Sequence, residues 1–210
     1  MSEPIIWNKA AQDAPVLILA HGAGAPMDSE FMENMAELLV QRGISVARFE
    51  FPYMQQRRTT GKKRPPGRQP ILLEHWHKVL TSISATVSAP VFMGGKSMGG
   101  RMATLLAAQL PMSEAVSGVV CLGYPFYAIG KKDKPRIEHL KTLTTPTLII
   151  QGERDSMGDR ETVEGYRLSS AIDLHWLVDG NHDLKPRKAS GFDHRQHMER
   201  AAGLIIDFIG

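Results

Sequence analysis

The sequence predicts a doubly wound α/β fold, in which a mostly parallel sheet of about six to seven strands is covered by helices on both faces. Short apolar runs alternate along the chain with longer stretches of helical character, which is the pattern of strand–helix–strand units with right-handed crossovers. Several runs, among them VLILA, GVVCL and TLII, are apolar at consecutive positions, as expected for strands buried on both faces of a parallel sheet. The length of 210 residues suits a single domain with one core, 1–210.

These patterns predict six strands and four helices. The strands are Val16–Ala20, Ser45–Phe51, Val91–Gly94, Gly118–Leu122, Thr147–Gln151 and Leu174–Val178. The helices are Ser29–Gln41, Ile71–Val87, Met98–Gln109 and about His194–Ile209. The first helix has apolar residues on one face and stops at Arg42-Gly43, the second follows a proline-rich entry, and the third ends before Pro111. The stretch 123–146 is short, so we expect no lid domain and a shallow, open site.

Composition and cysteine usage indicate a soluble protein of a reducing compartment. Apolar residues make up 42% of the chain and charged residues 22%, which is ordinary for a globular protein and too apolar for a disordered one. No apolar run approaches the roughly 20 residues that a membrane helix needs, and no signal peptide is recognisable. The lone Cys121 excludes an intrachain disulfide. We therefore expect a cytoplasmic protein without membrane association.

The candidate nucleophile lies in the segment Gly95-Lys96-Ser97-Met98-Gly99, between a predicted strand and a predicted helix. This is a G-x-S-x-G motif in the context that the motif requires, a strained strand-to-helix turn that exposes the serine oxygen above the sheet. The glycines on either side let the backbone and the helix approach each other without Cβ clashes. The N–H of Met98, at the start of the helix, is placed to bind a developing oxyanion.

A phosphate-binding P-loop is the competing interpretation of the same segment. Gly95-Lys96-Ser97 resembles the end of that motif, but the motif also requires a glycine five positions before Gly95, where Pro90 stands. The predicted strand also runs straight into the glycines, which leaves no loop to wrap a phosphate. The sequence therefore does not favour a P-loop.

Two more loops that follow predicted strands supply a second oxyanion donor and a carboxylate. The small-residue loop AHGAGAP lets a backbone N–H, that of Ala23, reach a carbonyl substrate; a plain strand-to-helix turn is the alternative. The loop QGERD follows the strand TLII and supplies the acid that orients a catalytic histidine. Asp155 is the first choice for this acid, Glu153 is the second, and a solvated loop acid without a role is the remaining interpretation.

His182 is the predicted general base. The chain has eight histidines, and His182 lies in the loop after the last predicted strand and beyond Asp155, which gives the chain order Ser…Asp…His. His21, in AHGAGAP, is expected to position that loop rather than to transfer protons. Because the carboxyl ends of parallel strands share one edge of the sheet, the four loops are expected to meet there.

Five stretches that span nearly the whole chain match one family. They are His21-Gly22-Ala23-Gly24, GKSMGGRMA at 95–103, LGYPF at 122–126, TLIIQGERD at 147–155 and HWLVDGNHDLKP at 175–186. The sequence resembles the small bacterial α/β hydrolases that are often grouped with dienelactone hydrolases and that are also similar to the hydrolase-like domain of animal testis-expressed and chromatin-complex proteins. The resemblance implies the α/β-hydrolase fold and supports Ser97, Asp155 and His182 as a triad. Dienelactone hydrolases use cysteine as nucleophile, whereas serine stands at position 97 here.

The motifs predict a serine hydrolase that cleaves a small carboxylic ester or thioester through an acyl-enzyme on Ser97. No metal or organic cofactor is expected, because the sequence has no H-E-x-x-H motif, cysteine cluster or dinucleotide fingerprint. His21, Gly22, Tyr124 and Lys185 are the candidates for substrate contacts. A non-catalytic binding or scaffold protein with an idle triad is the alternative function. The sequence does not predict an oligomeric state.

Basic residues concentrate in three segments, 55–70, 131–136 and 185–188. These hold thirteen of the 25 lysines and arginines and only one acidic residue, Asp133. Each follows a predicted strand, so all three are expected at the rim of the site, where a positive field would favour anionic substrates; solvated loops that only aid solubility are the alternative. Nucleic-acid binding is not favoured, because the 57–68 tract lacks interleaved aromatic residues and any recognised binding motif.

Overall fold

Seven strands in the described chain form one sheet in this computed structural model, which describes residues 4–111 and 116–210. The strands are β1 (Ile5–Asn8), β2 (Val16–Ala20), β3 (Ser45–Phe49), β4 (Val91–Lys96), β5 (Gly118–Leu122), β6 (Thr147–Gly152) and β7 (Ile172–Leu177). Their spatial order is β1-β3-β2-β4-β5-β6-β7. β1 pairs antiparallel with β3, and every other pairing is parallel. The predicted mostly parallel, doubly wound sheet is confirmed, and the chain reverses its winding between β2 and β4.

Six α-helices in the described residues connect these strands. They are α1 (Glu30–Val40), α2 (Pro52–Thr60), α3 (Gln69–Ser84), α4 (Met98–Ala107), α5 (Arg160–Glu164) and α6 (His194–Ile209). The four predicted helices correspond to α1, α3, α4 and α6, whereas α2 and α5 were not predicted. The described chain between β5 and β6 holds one short 3-10 helix, Glu138–Lys141, and no lid domain. Within the described residues, no helix combines the length and apolar character needed to cross a membrane.

The core consists of one apolar layer on each face of the sheet. Along β2, Leu17 and Leu19 point into one layer and Ile18 into the other, and all three are completely buried. On one side, helices α3 and α4 pack on the sheet and bury Trp76 and Met102, among other residues. On the other side lie α1 and α6. Burial on both faces explains why the central strands are apolar at consecutive positions.

Close packing between α4 and the end of β2 depends on glycine. A Cβ atom added at Gly99 would lie 2.4 Å from the carbonyl oxygen of Ala20 and 2.7 Å from that of His21. Both contacts are with backbone, which a side-chain rotation cannot relieve. The absence of a side chain at position 99 therefore allows the start of α4 to lie directly against the loop that follows β2.

We expect Gly99→Ala to lower the free energy of unfolding by about 1–3 kcal/mol or more, because the new methyl group must displace backbone. The matched control is Gly203→Ala in α6, where an added Cβ meets no atom within 4 Å. That substitution should raise the free energy of unfolding by up to about 1 kcal/mol, since alanine is the better helix former. Urea denaturation of both variants measures the difference, and equal effects would contradict this account of the packing.

Candidate active site

Ser97 lies in a strained turn between β4 and α4. Its backbone has φ 51° and ψ −115°, a positive φ that is unfavourable for a residue with a side chain. The turn is held on both sides, because the Ser97 N–H donates to Leu122 O at 2.9 Å and the Arg101 N–H donates to Ser97 O at 3.0 Å. The geometry is that of the strand-to-helix turn predicted from the G-x-S-x-G motif.

Ser97, His182 and Asp155 form a continuous hydrogen-bonded chain. His182 Nε2 lies 2.8 Å from Ser97 Oγ, and His182 Nδ1 lies 2.8 Å from Asp155 Oδ2. Because a carboxylate can only accept, Nδ1 carries the hydrogen and Nε2 is free to accept the serine proton. The three residues predicted from separate loops are therefore in contact, in the arrangement that nucleophilic catalysis by serine requires.

Asp155 is completely buried and receives three hydrogen bonds. Besides His182, Gln151 Nε2 donates to Oδ2 at 2.7 Å, and the Met157 N–H donates to Oδ1 at 2.8 Å. The alternative acid, Glu153, has different partners: its Oε1 lies 2.8 Å from Arg160 Nη1, and its Oε2 accepts from the Asp179 N–H at 3.0 Å. In this arrangement Asp155 is the carboxylate that faces the histidine.

The loop after β2 lies beside Ser97, as an oxyanion loop must. A Cβ atom added at Gly22 would be 3.7 Å from the Cβ of Ser97. Ala23 and Met98, the two predicted N–H donors, both line the cavity into which Ser97 opens. The Ala23 carbonyl accepts a 3.0 Å hydrogen bond from the hydroxyl of Tyr53, in α2. This bond fixes the peptide that follows Ala23.

His21 is completely buried and holds this loop rather than lining the cavity. Its Nε2 accepts from the Phe51 N–H at 3.1 Å, so Nδ1 carries the hydrogen and donates to Gly22 O at 2.6 Å. Burial lowers the pKa of His21, which keeps the ring neutral and preserves the acceptor at Nε2. These contacts are those of a positioning residue, in agreement with the role expected for His21.

Ser97 opens into a cavity of about 500 Å³, a size suited to a small molecule. Of the predicted substrate contacts, Gly22 lines this cavity. Tyr124 is buried beneath it, where its hydroxyl donates to Arg136 O at 3.1 Å. Lys185 is exposed in the loop after His182, and its backbone N–H donates to Asn181 Oδ1 at 3.0 Å. The structure thus brings Gly22 to the cavity surface, but not the other three candidates, His21, Tyr124 and Lys185.

Several cations of the three basic segments are paired within the protein. Arg58 bonds the buried Glu50 at 2.7 Å and Asp28 at 2.6 Å, Lys132 lies 2.6 Å from Asp159, and Arg187 lies 2.5 Å from Asp179. These pairs tie loops together and neutralise part of the positive charge expected at the rim.

The segments themselves contribute little to the cavity wall. Among the described residues, Pro66 and Arg136 are the members of these segments that line it. The three segments therefore supply less positive charge to the cavity wall than the sequence led us to expect.

Lys96, next to the candidate nucleophile Ser97, is a buried cation whose contacts the sequence did not predict. Its side chain is 9% exposed, and its Nζ donates to the carbonyl oxygen of His182 at 2.8 Å and lies 3.2 Å from Asp183 Oδ1. Burial lowers the pKa of Lys96, and the Asp183 carboxylate opposes this shift. The lysine thus connects the turn that carries the serine to the loop that carries the histidine.

Of the two arginines that line the cavity, Arg136 lies in the basic segment 131–136 that was expected at the rim, whereas Arg101 escaped sequence reasoning. Arg101 lies four positions after Ser97 in α4, and residues at that spacing share one helix face. This spacing was therefore a usable signal. Gln151, which bonds the buried Asp155 carboxylate, carried no such signal, because a polar residue at the end of an apolar strand has many possible partners.

The comparisons with known proteins agree on the fold. A family model described as an alpha/beta hydrolase domain matches residues 13–210. The chain is similar in structure to the dienelactone hydrolase from Anabaena variabilis (20% identity, TM-score 0.72, covering 97% of this chain and 89% of that one). It is also similar to an alpha-beta serine hydrolase homologue from Coxiella burnetii (15% identity, TM-score 0.71, 98% and 91% covered). A third similar structure is Est1E from Butyrivibrio proteoclasticus with bound ferulic acid (14%, 0.71, 98% and 95%).

Proposed function

The chain belongs to the alpha/beta hydrolase family, and from this premise we propose that it is a serine hydrolase that cleaves a small carboxylic ester or thioester through an acyl-enzyme on Ser97. Membership of the family supports hydrolytic activity and confirms the resemblance to small bacterial α/β hydrolases noted from the sequence motifs. The observation that carries the proposal is the pair of 2.8 Å contacts that join Ser97 to His182 and His182 to Asp155.

The first half of the proposed reaction transfers the acyl group to the enzyme. His182 Nε2 takes the proton of Ser97 while Oγ attacks the carbonyl carbon, and the N–H groups of Ala23 and Met98 stabilise the oxyanion. One such donor is typically worth about 3–4 kcal/mol of transition-state stabilisation. Asp155 stabilises the imidazolium that forms, and His182 then gives the proton to the departing alcohol or thiol.

The second half releases the acid and regenerates the serine. A water enters after the leaving group departs and gives a proton to His182 Nε2 as its oxygen attacks the acyl-enzyme carbonyl. The same two N–H groups bind the second oxyanion. When this intermediate breaks down, the proton returns to Ser97 Oγ, so that no proton is gained or lost by the enzyme over the cycle.

Charges around the cavity support a preference for anionic substrates. Three cations, Lys96, Arg101 and Arg136, line the cavity with one carboxylate, Asp183. Asp183 is paired with Lys96, so the remaining wall is positive. A positive cleft raises the local concentration of anions and the rate at which they bind, and salt weakens this effect.

A fluorophosphonate probe tests the proposed nucleophile directly. We expect the probe to form a Ser97 Oγ–phosphorus bond with loss of fluoride, and mass spectrometry of proteolytic fragments to find the adduct on Ser97. His182→Ala should reduce the labelling rate strongly, because the serine proton then has no acceptor. Labelling at another residue, or none with intact folded protein, would contradict the proposal and favour a binding or scaffold module with an idle triad.

A further inference from the structure

Arg101 and Arg136 both line the cavity and have no acidic partner among the described residues. Neither guanidinium lies within ion-pair distance of a carboxylate in the described residues, although both line the cavity that contains Ser97. By contrast, Arg58, Arg154 and Arg187 each pair with a carboxylate at 2.5–2.7 Å. The protein pairs those arginines with carboxylates but leaves the charges of Arg101 and Arg136 uncompensated. Two such cations in one cavity are suited to bind an anion.

The hydrogen-bonding capacity of the Arg101 guanidinium is only partly used within the protein. Its Nη2 donates to Gln69 Oε1 at 3.2 Å, but its buried Nε has no hydrogen-bond partner. A buried donor without a partner is costly, so the protein does not fully compensate this guanidinium. Burial lowers the pKa of Arg101, Tyr124 opposes this shift, and the neighbouring charge of Arg136 adds to it. Arginine nevertheless stays protonated at neutral pH, so the two guanidinium charges repel each other, and a bound anion would offset this repulsion.

Both arginines are attached to well-fixed backbone. Arg101 lies in α4, one turn after Ser97, and its N–H donates to Ser97 O at 3.0 Å. The backbone of Arg136 is held by two contacts: its N–H donates to Phe126 O at 2.6 Å, and its carbonyl accepts from the Tyr124 hydroxyl at 3.1 Å. A site on fixed elements loses little conformational entropy when a ligand binds.

We propose that Arg101 and Arg136 form an oxyanion-binding subsite that holds a carboxylate of the substrate while Ser97 attacks its ester carbonyl. The guanidinium fork matches the two oxygens of a carboxylate, and charge-assisted hydrogen bonds of this kind are about twice as strong as neutral ones. The inference rests on the proposed serine hydrolase and names its substrate class, a small ester or thioester that carries a carboxylate. Phosphate shares this chemistry, and the experiment separates the two.

Matched pairs of esters test the subsite. Mono-4-nitrophenyl adipate and 4-nitrophenyl hexanoate have the same leaving group and acyl length and differ in whether the acyl chain ends in a carboxylate or a methyl group. The 4-carboxyphenyl and 4-methylphenyl hexanoates place the same difference on the leaving group. We expect the ratio of kcat/KM values, anionic over neutral, to exceed one for at least one pair. In the double variant Arg101→Gln/Arg136→Gln this ratio should fall about tenfold to hundredfold.

Arg195→Gln is the control for loss of a positive charge remote from the cavity. Arg195 lies in α6, is 85% exposed and pairs with Glu199 at 2.8 Å, so its removal changes the net charge without touching the cavity. Its ratio should equal that of the unmodified protein. Competitive inhibition of hexanoate hydrolysis by adipate and by inorganic phosphate identifies the preferred anion. Stronger inhibition by adipate, lost in the double variant, supports a carboxylate site, whereas stronger inhibition by phosphate overturns the assignment to carboxylates.

A binding measurement on Ser97→Ala separates the subsite from the proposed reaction. Adipate binding, followed by calorimetry, should persist in Ser97→Ala and be lost when Arg101→Gln/Arg136→Gln is added. If neutral esters are hydrolysed and neither anionic ester is preferred, the subsite proposal is overturned and the hydrolase proposal is retained. If no ester is hydrolysed but adipate still binds in an arginine-dependent way, the hydrolase proposal is contradicted and the subsite proposal is retained. Absence of both overturns the two proposals together.

Discussion

Ser97→Ala is expected to lower kcat/KM for 4-nitrophenyl hexanoate by about 10⁴-fold or more. The substitution removes the oxygen that is proposed to attack the carbonyl and leaves the rest of the site in place. His182 then loses the partner that lies 2.8 Å from its Nε2, while its bond to Asp155 remains. Residual hydrolysis would come from direct attack of water on the ester, with the N–H groups of Ala23 and Met98 still stabilising the oxyanion. Steady-state release of 4-nitrophenolate measures the effect.

Ser29→Ala is the matched control for this loss. Ser29 lines the same cavity, and it precedes α1 without making a side-chain capping hydrogen bond. Its hydroxyl therefore has no proton acceptor comparable to His182, and we expect less than a tenfold change in kcat/KM. If Ser97→Ala turned over the ester at a rate near that of the unmodified protein, another residue would have to be the nucleophile.

Asp155→Asn is expected to lower kcat by about 10⁴-fold. All three groups that contact the Asp155 carboxylate are donors: His182 Nδ1, Gln151 Nε2 and the Met157 N–H. An asparagine amide has one oxygen and one NH₂ group, so in either orientation the NH₂ faces a donor. Both the tautomer of His182 and the hydrogen bonding of a completely buried group are then disturbed. Loss of one buried hydrogen-bond partner costs about 1–3 kcal/mol.

Two measurements separate these effects of Asp155→Asn. Urea denaturation reports the loss of stability, and kinetics on the folded fraction report the loss of catalysis. Glu153→Gln is the control, because Glu153 bonds Arg160 and the Asp179 N–H rather than His182. We expect it to change kcat less than tenfold. A larger loss in Glu153→Gln than in Asp155→Asn would assign the acid to Glu153.

Local signals in the sequence predicted the fold class and the candidate triad. Consecutive apolar residues in the central strands indicate burial on both faces, and the short length of these runs favours strands over helices. The G-x-S-x-G motif reports a backbone turn, because the close approach at Gly99 and the positive φ of Ser97 restrict which residues can occupy it. Strand order then brings loops together, so that Ser97 and His182, 85 positions apart, meet at 2.8 Å.

The elements missed by sequence reasoning lack such local signals. β1 has four residues, all of them half-buried, and α5 has five, too few to show a period. α2 has only two buried residues, Tyr53 and Met54, at its start, and the rest of the helix is polar. A stripe of apolar residues is what identifies a helix in a sequence, so α2 resembled a basic loop.

Only the tertiary structure decided which charges are paired and which remain free. Composition showed an excess of cations after several strands, but Arg58 bonds a buried glutamate, Lys96 bonds the backbone of His182, and Arg101 has no acid within reach. An ion pair requires two charges within a few ångströms of each other, and the two residues are often far apart along the chain. Whether the pair forms therefore depends on their distance in the folded protein, which a local sequence pattern does not indicate. The strained turn and the burial of the central strands depend on local sequence, whereas the electrostatic character of the cavity arises only when the chain folds.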